Sequence, residues 1–278
     1  LVEMEKLERL KSYIKNLGRV VVAFSGGVDS TFLLKVCLDV LGKENVLAVT
    51  ARSSTYPAKE LEEALKLVER LGANHEIIDS EELEIPGFSE NPPERCYHCK
   101  RELFGKLVAM AREKGFNFVL DGSNMDDTGD FRPGMRAKDE LGVLSPLKEV
   151  GLTKADIRAL SREMGLPTWN KPSFACLASR FPYGERITAE KLGRVERAEA
   201  LLRELGFYQY RVRSHGDLAR IEVSPGEIDR FFDGALRERV VSGLKKLGFV
   251  YVSLDLAGYR TGSMNEELKE GEKKLWKN

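Results

Sequence analysis

The sequence predicts an α/β fold: a parallel sheet covered by helices, followed by a smaller α+β domain. Short strand-like runs at 20–24, 46–50, 75–79 and 118–121 alternate with stretches of helical period. That is the pattern of parallel strands joined by right-handed crossovers. From about Thr188 the texture changes to one long charged helix and then two strand-like runs. At 278 residues the chain is long enough for two domains. The expected division is 1–180, 181–265 and a polar tail at 266–278.

Residues 4–17 read as an amphipathic helix. The run Val20-Val21-Val22-Ala23-Phe24 is the first strand and ends in Ser25-Gly26-Gly27. Asp29 and Ser30 are expected to cap a helix whose apolar positions Leu33, Leu34, Cys37, Leu38 and Leu41 follow a 3.6 period. Cys37 belongs to that stripe and is expected in the core. A strand at 46–50 is followed by a helix that Pro57 opens and that runs to 71. After the strand at 75–79, residues 81–95 show no period and contain Pro86, Gly87, Pro92 and Pro93. They lead into Cys96-Tyr97-His98-Cys99, read as a loop with His98 exposed. A helix at 100–114 and the strand at 118–121 complete the set. Thr153, with Asp156 three residues on, predicts a capped helix over 153–164. Pro167 and Pro172 flank a linker that carries Cys176. A helix at 189–205, strands at 208–213 and 219–223, two short helices and a strand at 250–254 form the second domain.

Composition narrows the function. Lys+Arg and Asp+Glu are both 44, so the net charge is zero. That argues against a protein built to grip a nucleic-acid backbone. No apolar run approaches the roughly 20 residues needed to span a bilayer. No signal-peptide pattern opens the sequence. A soluble, cytoplasmic protein is expected. Four cysteines are too few for a disulfide framework, so their spacing points to metal or redox chemistry.

The glycine pair carries the first chemical signal. Gly26 and Gly27 let the backbone curl without a Cβ clash. The loop N–H groups and the following helix N-terminus would then face an anion together. No Gly-Lys-Ser/Thr follows, so this is not the common phosphate loop. Ala51-Arg52-Ser53 and Asp121-Gly122-Ser123-Asn124 fall at the ends of two other predicted strands, which points to one cleft. The string Ser25-Gly26-Gly27-Val28-Asp29-Ser30 resembles the pyrophosphate loop of the N-type ATP pyrophosphatases. The resemblance implies that ATP is split to AMP and pyrophosphate while an acyl or imidoyl group is adenylated. Ser25, Gly26, Gly27 and Ser30 would hold the pyrophosphate end of ATP. Asp29 would bind Mg²⁺ or cap the helix, and Ala51 and Ser53 would border adenine and ribose.

The cysteines carry the second signal. Cys96-x-x-Cys99 alone reads as a zinc knuckle or half a redox pair. With no second pair, a closed four-cysteine zinc site is not available within one chain. If Cys176 approaches the pair, three thiolates converge and leave one iron of a four-iron cluster open. On a helical turn Arg180 would face the side of Cys176 and favour a thiolate; a surface arginine is the competing reading.

These residues together resemble the LarE family over almost the whole chain. LarE proteins are ATP-dependent sulfur transferases that mature the nickel-pincer nucleotide cofactor of lactate racemase. The matching stretches are 24–30, 95–100, 122–136 and 167–184. The most specific strings are Pro-Ser-x-Ala-Cys-Leu-Ala-Ser-Arg-x-Pro-Tyr-Gly and Asp126-Asp127-x-x-Asp130-x-Arg132-Pro133-Gly134. The resemblance implies a pyridinium-3,5-biscarboxylic acid mononucleotide as substrate. Mg-ATP would adenylate one carboxylate, sulfur would displace AMP, and a second round would serve the other carboxylate. In one branch of the family the cysteine at position 176 is a sacrificial sulfur donor, and that branch lacks the Cys-x-x-Cys. This chain has all three cysteines and so resembles the branch with a [4Fe-4S] cluster fed by sulfide or another sulfur donor. The resemblance also places Arg211 and Arg213 near the substrate phosphate and Glu199 and Glu222 beside them; a solvated strand face is the alternative for the arginines. Asp126, Asp127 and Asp130 would serve Mg²⁺ or orient their loop, and Asp130 with Arg132 would otherwise be a structural ion pair. A homo-oligomer is expected by resemblance alone. The competing functions are a tRNA-thiolating enzyme with the same loop and a non-catalytic adenine-nucleotide sensor with a zinc knuckle.

Overall fold

A computed structural model of the chain describes residues 2–128 and 133–269. Asp130, Arg132 and the tail from 270 lie outside the described residues. The chain divides into two compact units. One is formed by Leu1–Glu81 and Glu94–Phe174, the other by Glu82–Pro93 and Ala175–Leu275. The first expected domain ended at 180, but the cut falls before Ala175, and 82–93 goes with the later unit.

The second difference has a physical reason. Asn91 is fully buried, adopts φ +56°, and its side-chain amide donates to the carbonyls of Phe181 (3.3 Å) and Pro182 (2.6 Å). The Gly184 and Ile187 amides donate to the carbonyls of Asn91 and Ser89. These bonds satisfy backbone groups of 82–93 that no regular element serves.

In the first unit a parallel sheet runs β3-β2-β1-β4, with β1 Val20–Ala23, β2 Val46–Arg52, β3 Asn74–Asp79 and β4 Phe118–Leu120. Val20 pairs with Val46 on one side and Phe118 on the other. Side chains alternate across the sheet. Val20, Val22 and Ala48 join a core with Leu10, Ile14, Phe32 and Leu33 of helices α1 (Val2–Lys15) and α2 (Val28–Leu41). Ala64 and Leu67 of α3 (Ala58–Leu71) belong to the same core. Val21, Leu47 and Val49 face the other way, toward Phe104, Leu107 and Ala111 of α4 (Arg95–Glu113). Fully burying one such side chain stabilises the fold by about 1.5–3 kcal/mol.

The strand order has a functional consequence. From β1 the chain moves outward through β2 to β3, then returns to place β4 on the other side of β1. The carboxyl ends of β1 and β4 therefore flank a topological switch point, where loops diverge and leave a crevice. Helices α5 (Pro133–Glu140), α6 (Pro146–Glu149) and α7 (Lys154–Glu163) follow. Thr153 and Asp156 form the expected capping box at α7.

The second unit is a small mixed sheet, β5 Tyr210–His215, β6 Leu218–Val223 and β7 Tyr251–Leu254, in that order. β5 and β6 are antiparallel; β7 runs parallel to β6. Helix α8 (Ala189–Glu204), capped by the Thr188 hydroxyl, and α9 (Gly234–Lys246) accompany it. The first of the two expected short helices is a 3-10 segment, Pro225–Phe232. No helix among the described residues is long and apolar enough to cross a membrane.

Candidate active site

The loop 25–27 leaves the carboxyl end of β1 and enters α2. Gly27, not Asp29 or Ser30, is the N-cap; it has φ −80° and ψ 173° and makes no side-chain cap bond. Asp29 and Ser30 lie inside the first turn instead, because the chain turns one residue earlier than the polar pair suggested. Thr31 is the residue whose N–H reaches back to the Gly27 carbonyl (3.0 Å). The preceding amides of the turn are the usual unsatisfied donors of a helix start. Ser30 Oγ lies 3.1 Å from Ser25 Oγ and accepts from the Ser25 amide at 3.3 Å. The two hydroxyls thus stand together at the mouth of the loop.

Two glycines are sterically fixed here. Gly26 has φ +64°, and a Cβ on it would lie 2.8 Å from Ala64 Cβ. A Cβ on Gly122 would lie 3.0 Å from the Ser30 amide nitrogen. The loop after β4 therefore packs directly on the start of α2.

Asp29 is already engaged. Its carboxylate pairs with the Lys154 ammonium and accepts from the Asn124 side-chain amide at 3.3 Å. Asp126 accepts from the Lys154 backbone amide at 2.8 Å, and Asp127 accepts from the Asn124 amide at 3.0 Å. Asn124 caps the turn Met125–Asp127 in return. The acidic pair thus shapes this loop. Ala51 lies at the end of β2, and Ser53 Oγ lies 3.2 Å from Thr55 Oγ1.

Three lysines and a tyrosine were missed by sequence reasoning. Lys154 sits on Asp29. Lys171 lies between Glu60 (2.8 Å) and Glu63 (3.0 Å). Tyr56 donates to the Ser25 carbonyl at 2.6 Å. Lys138 is buried, donating to Ser145 Oγ at 2.5 Å and lying 3.6 Å from Asp121. Ser145 and Ser123 both donate to that Asp121 carboxylate (2.5 and 2.6 Å). Each of these residues stands in a charged or mixed stretch with no local signal; only the fold brings it to a partner.

The cysteines divide by environment. Cys37 is fully buried, and burial pushes its thiol pKa far up. Cys96 is exposed and Cys99 half-buried, and both lie in the first turn of α4 rather than in a loop. The helix starts at Arg95, which is itself buried. Three residues apart, the two cysteines share a helix face. His98 is half-buried on this turn with its ring edge-on to Tyr97.

Cys176, in the other unit, is exposed at the start of the 3-10 turn Leu177–Arg180. Its carbonyl accepts from the Ser179 amide (3.0 Å), Ser179 Oγ (2.8 Å) and Arg180 (3.2 Å), so the backbone is pinned while the side chain stays accessible. Among the described residues, no group of three or more His, Cys, Asp or Glu is arranged to hold a metal ion.

The second unit also buries a cluster of charge. Arg180 is buried and makes a two-pronged pair with Glu199, at 2.6 and 3.0 Å. Burial opposes its charge, but Glu199 and then Cys176 favour it, so Arg180 is an electrostatic neighbour of Cys176 and not a surface arginine. Burial alone would raise the Glu199 pKa, but Arg180 outweighs it and holds the carboxylate below its usual range. Arg213 makes the same fork with Glu222, both contacts at 3.0 Å, and also donates to Ser179 O and Ser263 Oγ. Arg211 and Arg213 are only 2% and 7% exposed, which excludes the solvated-face alternative. Arg211 lies over the Tyr259 ring at 5.1 Å and donates to the Tyr210 carbonyl. Burial, then the neighbouring Arg180, pulls its pKa down to about 10. Arg220 joins the cluster through Glu222 (3.4 Å) and Asp255 (3.1 Å), so four guanidiniums face three carboxylates.

Residues 3–92 match the NAD synthase family. The chain is 42% identical over 267 residues to the pyridinium-3,5-bisthiocarboxylic acid mononucleotide synthase of Lactiplantibacillus plantarum, covering 96% of each chain. It is 46% identical over 263 residues to an uncharacterized protein of Synechocystis, covering 95% of this chain and 98% of that one. A tRNA-specific 2-thiouridylase of Thermosynechococcus vestitus is 31% identical over 191 residues, covering 57% of this chain and 52% of that one. Given a pyrophosphate loop at the switch point and a match spanning nearly both full lengths, the chain belongs to the family of the pyridinium-3,5-bisthiocarboxylic acid mononucleotide synthase, the LarE family of ATP-dependent sulfurtransferases.

Proposed function

We propose that the protein thiolates the carboxylates of a pyridinium-3,5-biscarboxylic acid mononucleotide. The observation that carries this reading is the Ser25–Ser30 loop at the end of β1, in a chain that matches the synthase over almost its full length. A carboxylate is a poor electrophile. Its oxygen attacks the α-phosphorus of ATP and pyrophosphate leaves; sulfur then attacks the acyl carbon and AMP leaves. Ser25, Gly26, Gly27 and Ser30 stabilise the charge developing on the departing pyrophosphate. Ala51 and Ser53 border the nucleoside. Asp127 holds Asn124 and Asp126 holds the start of α7, and from these two places Asn124 and Lys154 reach Asp29.

Mg²⁺ is held in such sites by one or two carboxylates together with substrate phosphates. Asp29, whose carboxylate pairs with Lys154, would hold the ion together with the substrate phosphates. Arg211 and Arg213 bind the phosphate of the mononucleotide. Arg211 is the direct contact, because Glu222 already takes two of the Arg213 donors. Arg180 and Glu199 fix the arginine cluster in register, since buried charges persist when paired.

The three accessible cysteines fit a [4Fe-4S] cluster by donor type, and Cys37 is excluded by its burial. Held by Cys96, Cys99 and Cys176, that cluster would supply sulfur as hydrosulfide taken up from an external donor. This reading makes Cys176 a ligand rather than a consumed reagent. The same reading describes a soluble, cytoplasmic homo-oligomer that binds a small nucleotide and no nucleic acid.

The test uses anaerobically reconstituted protein with ATP, Mg²⁺, sulfide and the pyridinium dicarboxylate mononucleotide. Substrate-dependent pyrophosphate release and a sulfur-for-oxygen mass change are expected. About four irons per chain are expected, lost in Cys96→Ala. Pyrophosphate release that ignores the mononucleotide would refute the substrate. Turnover by iron-free protein that converts Cys176 would refute the cluster.

A further inference from the structure

The pyrophosphate loop has a feature that the catalytic reading leaves unused: two of its carbonyls are held from behind. Tyr56 Oη donates to the Ser25 carbonyl at 2.6 Å. Lys171 Nζ lies 3.4 Å from the Gly26 carbonyl and is itself fixed by Glu60 and Glu63. Across a trans peptide the C=O and the following N–H point in opposite directions. Holding the Ser25 carbonyl therefore aims the Gly26 N–H away from Tyr56, and holding the Gly26 carbonyl aims the Gly27 N–H away from Lys171. Among the described residues neither of these N–H groups meets an acceptor.

We infer that Tyr56 and Lys171 are positioning residues, which lock the Ser25–Gly26 and Gly26–Gly27 peptides with their N–H groups toward the pyrophosphate. The inference rests on the reading of this loop as the ATP site. A locking device is needed here because glycine peptides flip at little steric cost. A flipped peptide would present a carbonyl oxygen to a polyphosphate and repel it. Ala64 prevents the loop from retreating, since it already touches the space of a Gly26 Cβ.

Both donors are built to stay protonated. Burial and then Glu60 and Glu63 raise the Tyr56 pKa. Burial opposes the Lys171 charge, but Glu60 and Glu63 outweigh it and raise its pKa. Lys171 has a second effect. Without it, Glu60 would lose its cation behind an anion site, and Glu63 would keep only Lys59 at 3.9 Å. Lys171 stands five positions before Cys176 in the sequence.

The test compares Tyr56→Phe, Lys171→Met and Lys171→Arg in the full chain. Calorimetric titrations would use ATP, inorganic pyrophosphate and AMP, with thermal melts alongside. Tyr56→Phe loses one hydrogen bond and should weaken ATP and pyrophosphate about three- to tenfold. AMP, which lacks the outer phosphates, should bind as before. Lys171→Met should cost more than Tyr56→Phe, about ten- to a hundredfold for ATP and pyrophosphate, and Lys171→Arg should recover most of that loss. Unchanged ATP and pyrophosphate affinity in Tyr56→Phe would overturn the inference. So would an equal loss for AMP, the mark of a merely structural role. Failure of the unaltered protein to bind ATP or pyrophosphate would instead remove the reading of the loop on which the inference stands.

Discussion

Replacing Gly26 with alanine tests the loop geometry most directly. Gly26 sits at φ +64°, where an L side chain costs about 1–2 kcal/mol. The added Cβ would also stand 2.8 Å from Ala64 Cβ and 3.0 Å from Ala64 Cα. Overpacking of this kind costs about 1–3 kcal/mol. Together the change should cost about 2–5 kcal/mol. The cost falls on stability if the loop holds its place, or on ATP affinity if the loop moves off α3. Urea unfolding and ATP titration on the same samples separate the two. Adding Ala64→Gly removes the methyl contact but introduces a helix glycine worth about 0.5–1 kcal/mol. The double variant should therefore recover part of the loss and keep the backbone penalty. A Gly26→Ala protein that matches the parent in both urea midpoint and ATP affinity would refute this account of the loop.

Other outcomes follow from the buried charges and thiols. Lys138→Met strands the Asp121 carboxylate and should destabilise the protein by about 3–5 kcal/mol, read from urea unfolding; adding Asp121→Asn should restore part of it. Glu199 has a depressed pKa in the fold, so the unfolded chain takes up its proton first as pH falls. Its stabilising contribution is full above the ordinary carboxylate range and is lost on acidification below it; Glu199→Gln should lack that part of the urea midpoint's pH dependence. A thiol reagent on the native, metal-free protein should modify Cys96 and Cys176 first, and Cys37 only on unfolding, as peptide mapping would show. Arg211→Met should weaken the mononucleotide while leaving ATP affinity unchanged; an equal loss of both in folded protein would contradict the assignment.

Strands of the first unit were legible to within two residues, because apolar runs at 20–24 and 46–50 have few other uses in a chain this charged. The Thr153–Asp156 cap was legible for a similar reason: its bonds span three residues and need no distant partner. The start of α4 was not. Pro92, Pro93 and the cysteine pair read as a loop, whereas the helix begins at a buried charged residue, Arg95, that no apolar period marks. The same limit hid the role of residues 82–93, where the Asn91 side chain and the Ser89 and Asn91 carbonyls bond to residues about ninety positions away.

What the sequence determined by itself was the local chemistry: a glycine loop after a strand, a Cys-x-x-Cys, a third cysteine, and an alternating arginine pair. These depend on residue type and short spacing, which a linear chain displays. The tertiary structure decided which charges are spent on one another. It paired Arg180 with Glu199, Arg213 with Glu222 and Asp29 with Lys154, and it set Tyr56 and Lys171 behind the loop. Pairing energies depend on distance and burial, and both are set by folding rather than by separation along the chain.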